Sequence, residues 1–536
     1  MTVLPDMRRR AVIRGAAAML GTAVLPSCAP RRDARLLRFS PQADLASLDP
    51  IWTTAGVTRT HGFLVYDTLF GLDADFRPQP QMIEGFECGA DGRRWTLRLR
   101  EGLRFHDGAP VRARDCVASL ARWSQRDAMG QALFAAADEV TAQGERDIVF
   151  RLREPFALLP DALAKVGVNV PFIMPERHAL TSPFVQVAEV VGSGPYRFLP
   201  DERIVGARAA YARFGGYVPR EGGKAAWTSG PKRARFERVE WTVIPDPATA
   251  SIALRNGEID WLETPSLDLL PLIAQDRALA LPEIDPTGAI AVLRPNHLWP
   301  PFDNPAIRRA LLRVVRQEPF LAAAGFGPEA RRAGVGIFPP GTPLATDAGL
   351  DLWDGPPDYA RARAEIRAAG YAGEPVVVLG TTDPPILRAL AEVGADLLRR
   401  CGFAVDYQVM DWNALIQRRA RRAHPSEGGW NVFFTHWTGL DLLNPAGHLS
   451  LHGNGEAAWF GWPTAPRLEA LRQDWMRESD ADAQRRIAQA IQLQALIDVP
   501  YVPLGQFHMP TACRAELTGL LHGLPLFWNV ERAGHA

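Results

Sequence analysis

The sequence predicts an α/β protein built from several lobes. Three observations carry this expectation. The chain has 536 residues, more than a single hydrophobic core organises, so more than one core is expected. Apolar residues at strand period two alternate along the chain with apolar stripes at helical spacing, the pattern of α/β units. Hydrophobic residues make up 47% of the chain, ordinary for a globular protein. Beyond the N-terminus no run is apolar and long enough to span a bilayer.

Taken in order, Leu36 to Phe39 read as a strand leading into Leu48-Asp49-Pro50. Residues 61–69 read as a helix. Trp95, Leu97 and Leu99 alternate with polar residues, so three apolar side chains share one strand face. Asp107-Gly108 tolerates positive φ and lets the chain reverse. Cys116, Val117, Leu120 and Trp123 then recur at helical spacing. Ile148, Phe150 and Leu152 alternate as a strand. Gly192 and Gly194 allow a tight backbone crossing before a strand at Tyr196 and Phe198. They are not read as a phosphate cradle, because no helix signal follows. A strand is expected over 239–243 and a helix over 248–254. Asn304-Pro305 starts a helix with a good cap and a first-turn proline, and Ile307, Ala310, Leu311 and Val314 form its buried stripe. A strand over 376–379, a helix over 389–401 and a strand over 404–409 follow. Residues 483–497 form a long helix, and 500–507 a last strand. No internal repeat or low-complexity tract occurs.

The N-terminus is a targeting segment. Arg8-Arg9-Arg10-Ala11-Val12-Ile13-Arg14 precedes an apolar run over 16–25, a charged region and a short apolar region. Arg9-Arg10-x-Val-Ile-Arg is similar to a twin-arginine export motif; an arginine-rich Sec signal is the alternative. Leu25-Pro26-Ser27-Cys28 resembles a lipobox, with Cys28 the acylated residue; a plain cleaved signal is the alternative. Residues 1–33 are set aside as a signal peptide. Formal net charge is zero and the signal carries a positive excess, so the mature chain is slightly acidic and nucleic acid is not expected as a partner. Cys28, Cys88, Cys116, Cys401 and Cys513 lie far apart with no CxxC, which suggests neither zinc nor a redox pair. An oxidising compartment would permit one disulfide.

Residues 95–123 also carry a resemblance. Leu99, Arg100, Gly102, Phe105 to Gly108, Pro110, Ala113, Asp115, Ser119 and Leu120 fall in register with L-R-x-G-V-x-F-H-D-G-x-P-x-T-A-x-D-V-x-x-S-L-x-R. That signature resembles the extracellular solute-binding proteins of family 5, the dipeptide, oligopeptide and nickel receptors of ABC importers. Leu48-Asp49-Pro50, Tyr66 to Phe70, the 191–198 turn, Asn256 to Asp260, the 305–314 helix and Pro500 to Phe507 are similar to further family elements. The resemblance therefore runs from about residue 36 to 530. One departure stands out: the family's capping Thr is Arg112, so the reciprocal cap with Asp115 is expected to be lost.

The resemblance implies a two-lobed periplasmic binding protein of the type II-like, Venus-flytrap kind, with an extra subdomain on lobe one. Its parts would be the signal peptide (1–33), lobe I (34–54), the extra subdomain (55–185), lobe I again (186–288), lobe II (289–495) and a return to lobe I (496–536). Crossovers are expected near 285–295 and 490–505. The implied function is a receptor that captures a peptide-like small molecule between two lobes and delivers it to an inner-membrane ABC permease. A monomer without cofactor is expected.

The best site candidate is Gly429 to Pro445. In the family a strand followed by G-W-x-x-D-x-x-x-P lines the interlobe cleft, and in peptide receptors its Asp pairs with the ligand's α-ammonium. Here the family's Gly is His436, and Asp441 sits one place later than in dipeptide receptors. The expected ligand-facing residues are His436, Trp437, Thr438 and Asp441, with Trp412 added as an aromatic wall candidate. Asp441 capping a turn is the plain alternative. His448 and His452 have the i, i+4 spacing that on a helix would share a face, so a metal-chelate or other non-peptide ligand is the rival reading. A secreted hydrolase on a similar scaffold is the rival of another class, but no GxSxG or HExxH occurs. A sensor subunit feeding a signalling partner is a third possibility.

Overall fold

Two large sheets and a small one organise residues 33–534, the part of the chain described by a computed structural model. The expected signal peptide, the twin-arginine motif and Cys28 lie outside the described residues.

The first sheet has seven strands and is built around Leu36–Ser40. That strand pairs in parallel with Arg238–Thr242 on one side and Trp261–Leu262 on the other. Phe39 anchors its core, ringed by Trp241, Trp261 and Phe527 at 5.0–5.5 Å. The second sheet has six strands, in the order Arg331–Arg332, Val502–Phe507, Ala289–Pro295, Val432–Thr438, Pro375–Thr381 and Ala404–Met410. The helices Pro305–Val314 and Pro385–Arg400 cover one of its faces. The helix-covered face of the second sheet has a core of its own, while a larger core runs from the first and small sheets to the second sheet's other face, within the two-lobed arrangement. The small sheet has four antiparallel strands, among them Arg94–Leu99 and Asp147–Leu152, with the helix Ala113–Ser124 packed on it.

Most elements form where their apolar spacing puts them. Trp95, Leu97 and Leu99 are buried together, and Gly108 takes φ +87° in its turn. Asn304 caps its helix by accepting from the Ala306 N–H at 2.9 Å. A side chain at Gly192 would collide with the Val65 carbonyl, so the predicted backbone crossing is there.

Four expectations need correction. The helix expected over 61–69 spans Gly56–Val65. Its continuation is pulled out because Asp67 is buried as a hub. It accepts from Lys232 Nζ at 2.6 Å, Tyr217 OH at 2.9 Å and the Thr68 N–H at 2.9 Å. The reciprocal cap at Arg112 is only half lost: the Asp115 carboxylate still accepts from the Arg112 N–H at 2.8 Å, while a guanidinium has no acceptor to return. The strand Val502–Phe507, expected to re-enter the first lobe, pairs with Ala289–Pro295 in the second sheet. The first strand to rejoin the seven-stranded sheet is Ala512–Arg514. Finally, 448–452, where a solvated loop is the plainer expectation, is a 3-10 turn with His448 fully buried, and the two imidazoles share no helix face. His448 is buried against Tyr501 OH at 2.9 Å, and His452 turns to the Ala446 carbonyl at 3.3 Å. Cys88, Cys116, Cys401 and Cys513 are all unpaired thiols. Among the described residues no helix is long and apolar enough to cross a membrane.

The Lys232–Asp67 pair is fully buried, with the Trp528 ring 4.7 Å from the ammonium. Removing one partner leaves a buried charge unpaired, a cost of about 3–5 kcal/mol. Lys232→Met is expected to lose that much in urea unfolding; a loss below about 1 kcal/mol would contradict the hub role of Asp67.

Candidate functional site

The strand Val432–Thr438 lies in the middle of the second sheet, antiparallel to Ala289–Pro295. Side chains alternate across a strand, so the two faces carry different residues. His436 stands opposite Ala291 on the helix-covered face, its ring 5.4 Å from Phe507. Trp437 stands opposite Ile290 on the other face, and its ring meets Trp459 edge-on at 5.1 Å. Burial drives the His436 imidazole down to about 4, with the Asp441 charge opposing. It is neutral at physiological pH.

Past Thr438 the chain enters a 3-10 turn, Gly439–Leu442. Asp441 sits in this turn and joins the two halves of the molecule. Its Oδ1 accepts from Arg59 Nη1 at 2.7 Å and from the Val168 N–H at 3.1 Å, both from the first half. Its Oδ2 accepts from Thr438 Oγ1 at 2.8 Å. Asp441 and Arg59 are both buried. Arg59 comes from the helix Gly56–Val65, whose other residues from Val57 onward are also buried. Val168 follows Gly167, and the absence of a side chain there lets that loop approach: a Cβ would lie 3.0 Å from the Leu440 carbonyl and 3.1 Å from Asp441 Oδ1.

Two more carboxylates respond to Arg59. Glu263 follows the strand Trp261–Leu262 and accepts from the Gln42 N–H at 2.8 Å. Asp285 lies in the crossover and accepts from the Thr287 N–H at 3.0 Å. Burial raises both to about 7; hydrogen bonds and the Arg59 charge pull the other way, and at Asp285 the Asp441 charge adds to the rise. One guanidinium therefore contacts Asp441 and lies within electrostatic reach of two further carboxylates. The site has negative charge to spare once these carboxylates ionise.

A cavity of about 140 Å³ opens beside Asp441, between Asp161, Lys165 and Gly167 of the first half and Asn444 and Trp475 of the second. Small-molecule pockets run to roughly 300–1,000 Å³. A solute of that size requires the halves to part.

The structure thus brings Trp437, Thr438 and Asp441 to the junction of the halves. It does not bring His436 or Trp412 there. Trp412 begins the helix Trp412–Arg419, next to Arg419. Arg59, Glu263 and Asp285 were missed by sequence reading. Only Arg59 leaves a signal, as a charged residue inside a helix whose neighbours are otherwise fit for burial.

The comparisons with known proteins agree with this architecture. The profile of bacterial extracellular solute-binding proteins, family 5 Middle, matches residues 77–457. This chain belongs to that family. It is a solute-binding protein and not an enzyme. The probable peptide ABC transporter periplasmic-binding protein y4tO of Sinorhizobium fredii is 38% identical over 493 residues, covering 91% of this chain and 92% of that protein. Two solved structures share the fold at TM-score 0.75. One is the dipeptide-binding protein of Pseudoalteromonas sp. SM9913 with Met-Leu, 19% identical, covering 93% of this chain and 100% of that one. The other is AgaA of A. tumefaciens R10 with agropinic acid, 20% identical, covering 94% and 99%.

In this family-5 protein the Arg59–Asp441 pair is a direct tie between the halves. Arg59→Met leaves Asp441 without its cation, a cost of about 2–5 kcal/mol for a buried pair. The ligand-free variant is expected to show a larger radius of gyration in solution scattering than the wild type. An unchanged radius would count against the tie.

Proposed function

We propose that this protein is the periplasmic substrate-binding component of an ABC importer. It captures a peptide-like organic solute between its lobes and hands it to a permease in the inner membrane. The observation that carries this reading is Asp441: a buried carboxylate that both halves already grip, in a member of family 5. The name of the 38% identical relative y4tO supports the peptide class. In this reading the protein is a monomer, exported through its twin-arginine signal, with Cys28 available as a lipid anchor. Lobe I comprises residues 34–54, 186–288 and the return after residue 507; the extra subdomain is 55–185, and lobe II is the rest.

The capture step follows from the geometry. In the open form Arg59 and the Val168 N–H withdraw, and Asp441 keeps only Thr438. The solute's ammonium then takes the place at Asp441 that Arg59 holds in the structure. Glu263 and Asp285 add negative charge around it, and Trp437 supplies an apolar wall. Closure returns Val168 to Asp441. Because the solute touches both lobes, it favours the closed form, a population shift of the hinge kind. Charge-assisted hydrogen bonds gain strength as water leaves.

Asp441→Ala is expected to weaken binding of a peptide with a free N-terminus by at least about 30-fold, the equivalent of ~2 kcal/mol. Titration calorimetry against a peptide identified by mass spectrometry of co-purifying molecules measures this, and unchanged affinity would refute the ammonium role. pH gives a second check. Burial raises Glu263 and Asp285 to about 7, so they are largely neutral at pH 5.5 and ionised at pH 8. A cation prefers them ionised. Affinity is therefore expected to rise with pH across this window, with proton release on binding near pH 6.5; proton uptake there would contradict the arrangement.

A further inference from the structure

The cavity beside Asp441 has three charged residues in its wall: Asp161, Lys165 and Asp441. Two of them are answered. The Lys165 ammonium is paired with Asp127, whose other oxygen accepts from the Met129 and Gly130 N–H groups at 2.9 and 3.0 Å. Asp441 is paired with Arg59 at 2.7 Å. Asp161, in the short helix Leu159–Leu163, has neither kind of partner. Among the described residues no cation pairs with it, and burial raises its carboxyl to about 6 with only its own N–H opposing. It is mostly ionised at neutral pH, half-buried, and beyond the influence of the molecule's own cations.

The other polar side chains of the wall are already engaged. Asn444 Oδ1 accepts from the Gly447 N–H at 2.9 Å, and Gln484 Nε2 donates to the Glu478 carbonyl at 2.8 Å. Most of the remaining surface is apolar, supplied by Leu72, Phe76, Leu158, Leu344, Leu440 and Leu443. Asp161 is thus a single unanswered charge in a largely apolar chamber that Asp441 also borders.

Size and charge together limit what this chamber can take. Its volume is about 140 Å³, and a cavity of about 150 Å³ accepts a group the size of benzene, so one side chain fits and a second residue does not. An apolar side chain would leave the Asp161 carboxylate desolvated and unpaired, which is costly. An acidic one would meet a like charge. A long amine-tipped side chain lays its methylene stem along apolar surface and carries its charge at the tip, which matches a leucine-lined chamber with one carboxylate in its wall.

We propose that this cavity receives the side chain of the residue whose ammonium Asp441 holds, and that Asp161 selects a basic one, so that the preferred solutes are peptides beginning with lysine or a similar amine-tipped residue. This rests on the reading of Asp441 as the ammonium site and names the substrate class of that same site. Asp161 comes from the stretch 55–185 and Asp441 from the second half, so a solute with two cationic groups engages both sides at once. The contact strengthens as the chamber closes and water leaves it.

The test uses tripeptides that differ only in the first residue, which is lysine, Nε-acetyl-lysine or norleucine, titrated by calorimetry and tryptophan fluorescence into the wild type, Asp161→Asn and Asp161→Glu. The wild type is expected to bind the lysine peptide about 10- to 100-fold more tightly than either neutral one, the lower part of the range for close charge pairs at an interface. Asp161→Asn should cut that ratio at least fivefold, and Asp161→Glu, which keeps the charge, should retain most of it. Equal binding of the three peptides by the wild type overturns the proposal without any variant, and leaves the ammonium role of Asp441 standing. A lysine preference that survives Asp161→Asn assigns the effect to the general negative charge of the cleft and overturns the role of Asp161. Failure of all three peptides to bind the wild type counts against the peptide reading and this proposal together.

Discussion

The contact between Arg59 and Asp441 organises the functional part of this molecule. Each half carries its own sheet; the helix-covered face of the second sheet has a core of its own, and a larger core runs through both halves. At the site they meet through one buried ion pair, seconded by the Val168 N–H, beside apolar packing of Leu440 and Leu442 into the larger core. A buried pair stands on a balance: desolvating two charges costs several kcal/mol, and the mutual attraction repays that only while both are in place. Such a contact is suited to exchange. In the proposed capture step another cation takes the place of Arg59 at the same carboxylate.

The charges around this pair are arranged unevenly. Glu263, Asp285 and Asp441 come from the first sheet, the crossover and the second lobe, and a single guanidinium answers them. Burial raises Glu263 and Asp285 to about 7, so a substantial fraction of each is protonated at neutral pH. This removes part of the repulsion that three carboxylates would otherwise impose on the closed form. The same burial makes the site sensitive to pH in the range around 7. Ring contacts run on from Trp437 to Trp459 and from there to the Arg419 guanidinium.

Elsewhere, buried charges are used to fasten segments that are distant in sequence. Asp49, in the Leu48-Asp49-Pro50 step, accepts both Nη donors of Arg122 at 2.6 and 3.1 Å, tying the first strand's exit to the subdomain helix. Asp67 gathers Lys232 and Tyr217. These pairs explain where local patterns fail. The helix expected to run through Leu69 stops at Val65 because Asp67 is needed elsewhere, and helix propensity, at most about 1 kcal/mol per ordinary residue, is outweighed by such a hub.

By itself, the sequence determined which segments are strands and helices, because side-chain period is a local property. Trp95-Leu97-Leu99, the 305–314 helix and the 375–381 strand are legible in this way. Dense motif matches also made the family legible, and with it the two-lobed plan. It pointed to the turn after Thr438 as a candidate site, through the order of Trp437 and Asp441. Only the tertiary structure decided which side chains meet there. His436 is adjacent to Trp437 in sequence, yet the pleat turns it into a core. Val502–Phe507 reads as a returning strand, yet its hydrogen bonds go to the second sheet. Arg59 lies 382 positions from Asp441, and the Arg419 guanidinium lies against rings from three separate segments. Pairing across such distances leaves no periodic trace, because it depends on how whole lobes pack and on which buried charge finds which partner.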